Sequence, residues 1–182
     1  EGMTYLGEYA FYNCTALKSI NIPAGVESIG RYTFSGCSSL GTVTLVEGLK
    51  SIGEYAFYNC KSLKSIHIPA GVESIGNYAF RDCTSMTEAT LAEGLKTIGE
   101  YAFYYCSALQ SIQIPVGVSR IEQHTFNNCQ SLASATLPEG LTFIGSYAFR
   151  NNYALASINI PSTVIEIQSQ AFVNDRSLKT MT

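Results

Sequence analysis

Residues 63–85 read Leu63-Lys64-Ser65-Ile66-His67-Ile68-Pro69-Ala70-Gly71-Val72-Glu73-Ser74-Ile75-Gly76-Asn77-Tyr78-Ala79-Phe80-Arg81-Asp82-Cys83-Thr84-Ser85, and the same spelling returns along the whole chain. Phe11, Phe34, Phe57, Phe80, Phe103, Phe126, Phe149 and Phe172 stand 23 residues apart, eight copies without an insertion. Each Phe follows Ala or Thr. Three residues after it comes Cys14, Cys37, Cys60, Cys83, Cys106 or Cys129, with Asn152 and Asp175 in the last two copies. Leu17, Leu40, Leu63, Met86, Leu109, Leu132, Leu155 and Leu178 keep the same step, as do the Ile/Val positions beginning at Ile20, Ile22, Val26 and Ile29. A fixed period of this length outranks any segment-by-segment reading, because each unit is one piece that buries its apolar face only against its neighbours.

Within the unit, elementary chemistry predicts the local structure. In Leu17 to Ile22, Ile20 and Ile22 are two apart and share one face of a strand, while Ser19 and Asn21 face out. Pro23, Pro69, Pro115, Pro138 and Pro161 end the strand, and a glycine such as Gly25 or Gly71 lets the chain turn. The Val-x-x-Ile-Gly stretch reads as a second, shorter extended segment, and Ala-Phe-x-x-Cys as a tight helical or 3₁₀ turn. Stacked coils place Phe on Phe, so Phe34, Phe57, Phe80, Phe103 and Phe126 are expected to form the structural spine.

The pattern L-x-x-I-x-I-P-x-G-V-x-x-I-G-x-x-A-F-x-x-C-x-x lies in the 20–29-residue range of leucine-rich repeats. Its Phe and Cys columns resemble the BspA-type (TpLRR-like) subclass, and the resemblance covers the whole chain. It implies a leucine-rich-repeat solenoid, a right-handed β-rich horseshoe with a concave parallel sheet and short convex extended segments. Residues 1–182 then form a single domain of about eight repeats, with both ends in mid-repeat. That suggests an excerpt of a longer protein, or termini that engage in end-to-end self-association.

Composition excludes several partners. The net charge is −3, and no two of the 11 basic residues are adjacent, so the electrostatic footprint that nucleic acid demands is missing. No apolar stretch reaches the roughly 18 residues of a membrane-spanning helix, so membrane insertion is not expected.

A second period of 46 overlies the first. Ile-Pro-Ala-Gly-Val recurs at 22–26 and 68–72, against Leu-Val-Glu-Gly-Leu at 45–49 and Leu-Ala-Glu-Gly-Leu at 91–95. Charge alternates with it: Glu27, Lys50, Glu73 and Lys96 share a column, and stacked opposite charges attract where like charges repel.

The chemistry-bearing residues are few. Six cysteines spaced by 23 match neither the close pairs of a zinc site nor a disulfide scaffold. Cys37, Cys60, Cys83, Cys106 and Cys129 are read as a buried thiol ladder, with disulfides between adjacent coils as the alternative, since the stacking distance permits them. His67 and His124 fall in different columns and share no metal or triad. No nucleotide or hydrolase motif occurs, and neither a cofactor nor catalysis is expected.

Two surfaces remain as candidates for ligand binding. One is the outward strand face, with Ser65, His67, Glu88, Thr90, Ser111, Gln113 and Thr136, small, polar and nearly uncharged. The other is a tyrosine ladder containing Tyr32, Tyr55, Tyr78 and Tyr101, which offers either a stacking platform or a cover for the flank of the core. The resemblance implies a non-catalytic cell-surface adhesion or ligand-binding module, extracellular, taking a host protein or a glycan. Alternatives are an intracellular protein-interaction scaffold and a carbohydrate-binding module appended to a larger protein.

Overall fold

The structure is a computed structural model describing residues 2–182; Glu1, counted above with the first repeat, lies outside them. The chain winds into a parallel β-solenoid of about eight coils, and each coil contributes two short strands. The outward strand face consists of β2 (Ser19–Asn21), β4 (Thr42–Thr44), β6 (Ser65–Ile68), β8 (Glu88–Leu91), β10 (Ser111–Gln113), β12 (Ser134–Thr136), β14 (Ser157–Ile158) and β16 (Thr180–Met181). The second extended segment supplies β1 (Tyr5–Leu6), β3 (Ser28–Ile29), β5 (Ser51–Ile52), β7 (Ser74–Ile75), β9 (Thr97–Ile98), β11 (Arg120–Ile121), β13 (Phe143–Ile144) and β15 (Glu166–Ile167). Registers step by one repeat, as in Ser65↔Glu88 and Ser51↔Ser74.

The 46-residue period reappears as a rhythm in the strand face. β2 pairs with β4, β6 with β8, β10 with β12 and β14 with β16. Between these couples the ladder opens: β8 meets β10 only at Glu88↔Ser111, and β4/β6 and β12/β14 fall in separate sheets. Ile22, Ile114 and Ile160 each donate a backbone N–H to the next coil at 2.6–3.0 Å, which closes the ladder within a couple.

On the second face the ladder runs unbroken from β1 to β9 and resumes from β11 to β15. Its close approach depends on the column Gly30, Gly53, Gly76, Gly99 and Gly145. A Cβ on Gly53 would stand 2.8 Å from the Gly30 carbonyl carbon and the Ile29 oxygen. At Glu122 the column carries a side chain, and there the ladder is interrupted between β9 and β11. Gln168 also departs from glycine, yet its N–H still reaches the Ile144 oxygen at 2.8 Å.

The core is a set of one-residue-deep columns. Phe rings stack from Phe11 to Phe172 with centroids 5.1–5.5 Å apart. Phe34, Phe57, Phe80, Phe103, Phe126 and Phe149 are fully buried. Beside them run the thiols. Cys37, Cys60, Cys83, Cys106 and Cys129 are free, buried, and donate Sγ–H to the Phe carbonyl of the preceding coil at 3.1–3.2 Å. Burial pushes the Cys37 thiol up to about 11 and Cys83 well above the usual range, so neither forms a reactive thiolate near neutrality. Cys14 is free and exposed. The stacked charge column forms the Lys96–Glu73 ion pair at 2.9 Å, and Arg31 meets Glu54 at 3.0 Å in another column.

The expectation of helical or 3₁₀ turns is corrected. No helix occurs among the described residues, and the Ala-Phe-x-x-Cys stretch is a chain of reverse turns. The reason is a competition for backbone donors. Ala56, Tyr58 and Cys60 bond three residues back within their own coil, whereas Tyr55, Phe57 and Asn59 donate to Asn77, Ala79 and Arg81 of the next coil at 2.8–2.9 Å. A helix would claim every donor for itself; here alternate N–H groups build the stack. Two residues per coil take positive φ to allow this, such as Tyr55 (56°) and Asn59 (60°). Each is the third residue of a turn closed three residues back, the place where type II turns require the left-handed region.

The thiol column ends in polar groups. Asn152 is fully buried, its side-chain nitrogen and oxygen lack partners, and its N–H donates to Asp175 Oδ1 at 2.8 Å. Burial raises the Asp175 carboxyl to about 7, opposed by that hydrogen bond. An exposed Asp titrates near ~3.9. The folded state therefore holds the proton more tightly than the unfolded state. With respect to this group, stability is greatest below about pH 4, falls as pH rises toward 7, and is flat above. Thermal unfolding should show a higher midpoint at pH 5 than at pH 8, and Asp175→Asn should remove most of that difference. An unchanged difference in the variant would assign it to other groups.

Candidate functional site

All seven residues read from the sequence on the strand face are exposed: Ser65 and His67 on β6, Glu88 and Thr90 on β8, Ser111 and Gln113 on β10, Thr136 on β12. They stand outward because strand alternation sends Ile66, Ile68, Leu91 and Ile112 into the core. Four of them do more than share a face. Where β8 and β10 part after their single pairing, Glu88, Thr90, Ser111 and Gln113 line a depression of about 320 Å³. Its remaining lining is Ala89 and Leu91. Ser65 and His67 flank it across the fully paired β6–β8 ladder, and Thr136 sits opposite Gln113 on β12.

Ala89 and Leu91 were not among the residues read as a site. The signal for Ala89 was present, because it holds a position where Ile20, Val43, Ile66 and Ile112 carry larger side chains. The opening of the ladder was not visible, since it is a relation between coils. Chemically the depression is a small polar rim over an apolar lining. Thr90 Oγ1 lies 3.4 Å from Glu88 Oε1, and Glu88 is the single carboxylate lining it.

The tyrosine candidates stand elsewhere, on the turn flank. Tyr9, Tyr32, Tyr55, Tyr78 and Tyr101 stack face to face, with centroids 4.5–4.9 Å apart and interplanar angles of 4–13°. His124 takes the next rung, 4.4 Å from Tyr101 and 4.7 Å from Tyr147. Asn127 Nδ2 lies 2.7 Å from His124 Nδ1, and burial, with Arg150 nearby, lowers the imidazole below its usual range. The ring faces of Tyr32, Tyr55, Tyr78 and Tyr101 are thus occupied by one another. What these rungs present outward is edges and hydroxyls, so a sugar ring lying flat on a free aromatic face has no seat on them. Their backbones explain the position: each has φ of 56–60°, an unfavourable region for a bulky residue that continuous stacking helps to hold.

Known proteins place the fold. The model of the BspA type leucine-rich repeat region matches residues 4–107 and 50–179, with six copies. The chain belongs to the BspA-type leucine-rich repeat family. The crystal structure of a leucine-rich repeat protein from T. pallidum is similar, with 34% identity and a TM-score of 0.81 over 84% of this chain and 72% of that one. A leucine-rich repeat protein from Bacteroides ovatus matches with 25% identity and a TM-score of 0.45, covering 98% of this chain and 70% of that one. None of the curated proteins matches. The family assignment makes this BspA-type chain a leucine-rich repeat protein, a class that suggests a protein-binding role.

Proposed function

We propose that this chain is the binding module of a cell-surface adhesion protein, and that it takes a protein partner on the outward strand face at the opening between β8 and β10. The observation that carries the reading is that opening: four exposed polar side chains converge there on a depression with an apolar lining. Small concave sites with a few convergent polar groups are the usual form of a recognition point. The family resemblance implies that this is the concave side of a horseshoe, the side on which solenoids receive extended partners. Few charges stand there, so partner choice rests on hydrogen bonds and shape.

The test presents this protein to immobilised extracellular-matrix proteins. Thr90→Arg and Gln113→Arg each place a long cation across the depression and should weaken binding by at least about tenfold, roughly 1.4 kcal/mol. Tyr55→Ala, on the flank, should leave binding to this face intact. Full binding by both arginine variants would remove the strand face as the site.

A further inference from the structure

We infer that the tyrosine flank is a docking surface for a proline-rich segment in the polyproline II conformation, lying along the solenoid axis. The inference rests on a different face from the strand opening and does not depend on it. Beside the stacked ladder runs a second row, Tyr12, Tyr58 and Tyr104, which recurs every 46 residues and so on every second coil. Each of these rings stands across its ladder partner: Tyr9–Tyr12 at 72°, Tyr55–Tyr58 at 82° and Tyr101–Tyr104 at 51°. The result is a series of aromatic corners. Coils in a parallel ladder are about 4.8 Å apart, so the corners repeat at about 9.5 Å. A polyproline II helix rises about 3.1 Å per residue with three residues per turn, so every third side chain repeats at about 9.3 Å. Prolines at every third position fall into register with the corners.

The chemistry of the surface agrees with that occupant. Among the described residues, no tyrosine hydroxyl takes part in a side-chain hydrogen bond within the protein. Polyproline II has unpaired carbonyls and proline has no N–H, so a row of hydroxyl donors complements it without leaving acceptors unmet. Burial holds the Tyr55 and Tyr101 phenols above their usual range, which keeps them protonated as donors. In the first coil Tyr9 is 49% and Tyr12 48% exposed, and Tyr58 and Tyr104 are partly exposed.

The two gaps of the row differ. Between Tyr12 and Tyr58 the intervening residue, Ser35, is buried and does not rise between them. Between Tyr58 and Tyr104 stands Arg81, its guanidinium 5.7 Å and 4.9 Å from their ring centres and paired with Asp82 at 3.2 Å. The path between the first two corners is therefore open, and Arg81 partly fills the path between the second and third.

The 182-residue protein is titrated, by chemical-shift mapping and calorimetry, with an acetylated peptide of five Pro-Ala-Ala triplets and with a control of four Pro-Ala-Ala-Ala repeats. The expected result is saturable binding of the first peptide, at least about tenfold tighter than the control, with shifts confined to the tyrosine flank. Tyr58→Ala should abolish it, and Arg81→Ser, which frees the second gap, should tighten it several-fold. Thr90→Arg should leave it unchanged. Circular dichroism melts of each variant separate lost binding from lost folding, and Arg81→Ser decides the matter if Tyr58→Ala unfolds. Equal binding of the two peptides, no saturable binding, or loss with Thr90→Arg would overturn the inference.

Discussion

Phe80→Ala should destabilise the protein by about 3–5 kcal/mol, among the largest losses available to a single substitution here. Phe80 is fully buried, and its ring has a neighbour on each side, Phe57 and Phe103, both at 5.3 Å. Truncation empties one rung of a column whose flanking rungs are held in place by their own coils, so the cavity does not collapse. In a solenoid, stability is close to a sum of coil terms and neighbour terms, and removing a mid-array ring damages two interfaces. Phe172 provides the internal comparison. It is half-buried and stacks on Phe149 alone at 5.4 Å, so Phe172→Ala should cost well under half as much. Urea unfolding followed by circular dichroism measures both. Equal losses would contradict the nearest-neighbour account of this core.

Gly76→Ala should be the other severe change, for the opposite reason. Here nothing is removed; a methyl group is forced into backbone. The added Cβ would lie 2.6 Å from the Glu54 nitrogen, 2.8 Å from the Gly53 carbonyl carbon and 2.9 Å from the Glu54 Cα. None of these is the end of a flexible side chain. Either the two coils move apart or the local turn changes, and both weaken the ladder bond from Gly76 N–H to the Ile52 oxygen, now 2.8 Å. Steric strain and a compromised backbone hydrogen bond together amount to about 2–4 kcal/mol. Gly41→Ala is the matched control. Its Cβ would find its nearest neighbour at 3.6 Å, so it should change stability by less than about 1 kcal/mol. Thermal melts of the two single variants give the contrast directly, and similar midpoints would mean that close approach is not what the glycine column serves.

Much of this was legible in the residue string. The 23-residue step predicts the solenoid, and the columns it defines separate core from surface: Phe34 to Phe149 stack, the five inner thiols are buried, and the seven strand-face residues stand exposed. His124 could be read as an occupant of a tyrosine position, and it is stacked as one. The turns were not legible. Ala-Phe-x-x-Cys has the composition of a helical turn, and only the competition of the next coil for alternate N–H groups makes it a chain of reverse turns. Of the candidate site, Glu88, Thr90, Ser111 and Gln113 could be named in advance, but not Ala89, Leu91 or the depression that the six line. It arises where β8 leaves β10, and the alternating pairing of coils is a property of two strands together.

By itself, then, the sequence determined which side chains face inward, because periods of two and of 23 impose burial wherever a strand is stacked on copies of itself. It also determined that the outward strand face is polar and nearly uncharged. The tertiary structure alone decided where the stack closes and where it opens. Glu122 shows why. In the residue string it is a substitution in a glycine column, as Gln168 is; in the stack the ladder stops beside Glu122 yet continues past Gln168, whose N–H still reaches the Ile144 oxygen. Contacts between coils depend on distances of a few tenths of an ångström between backbones, and no local pattern carries that information.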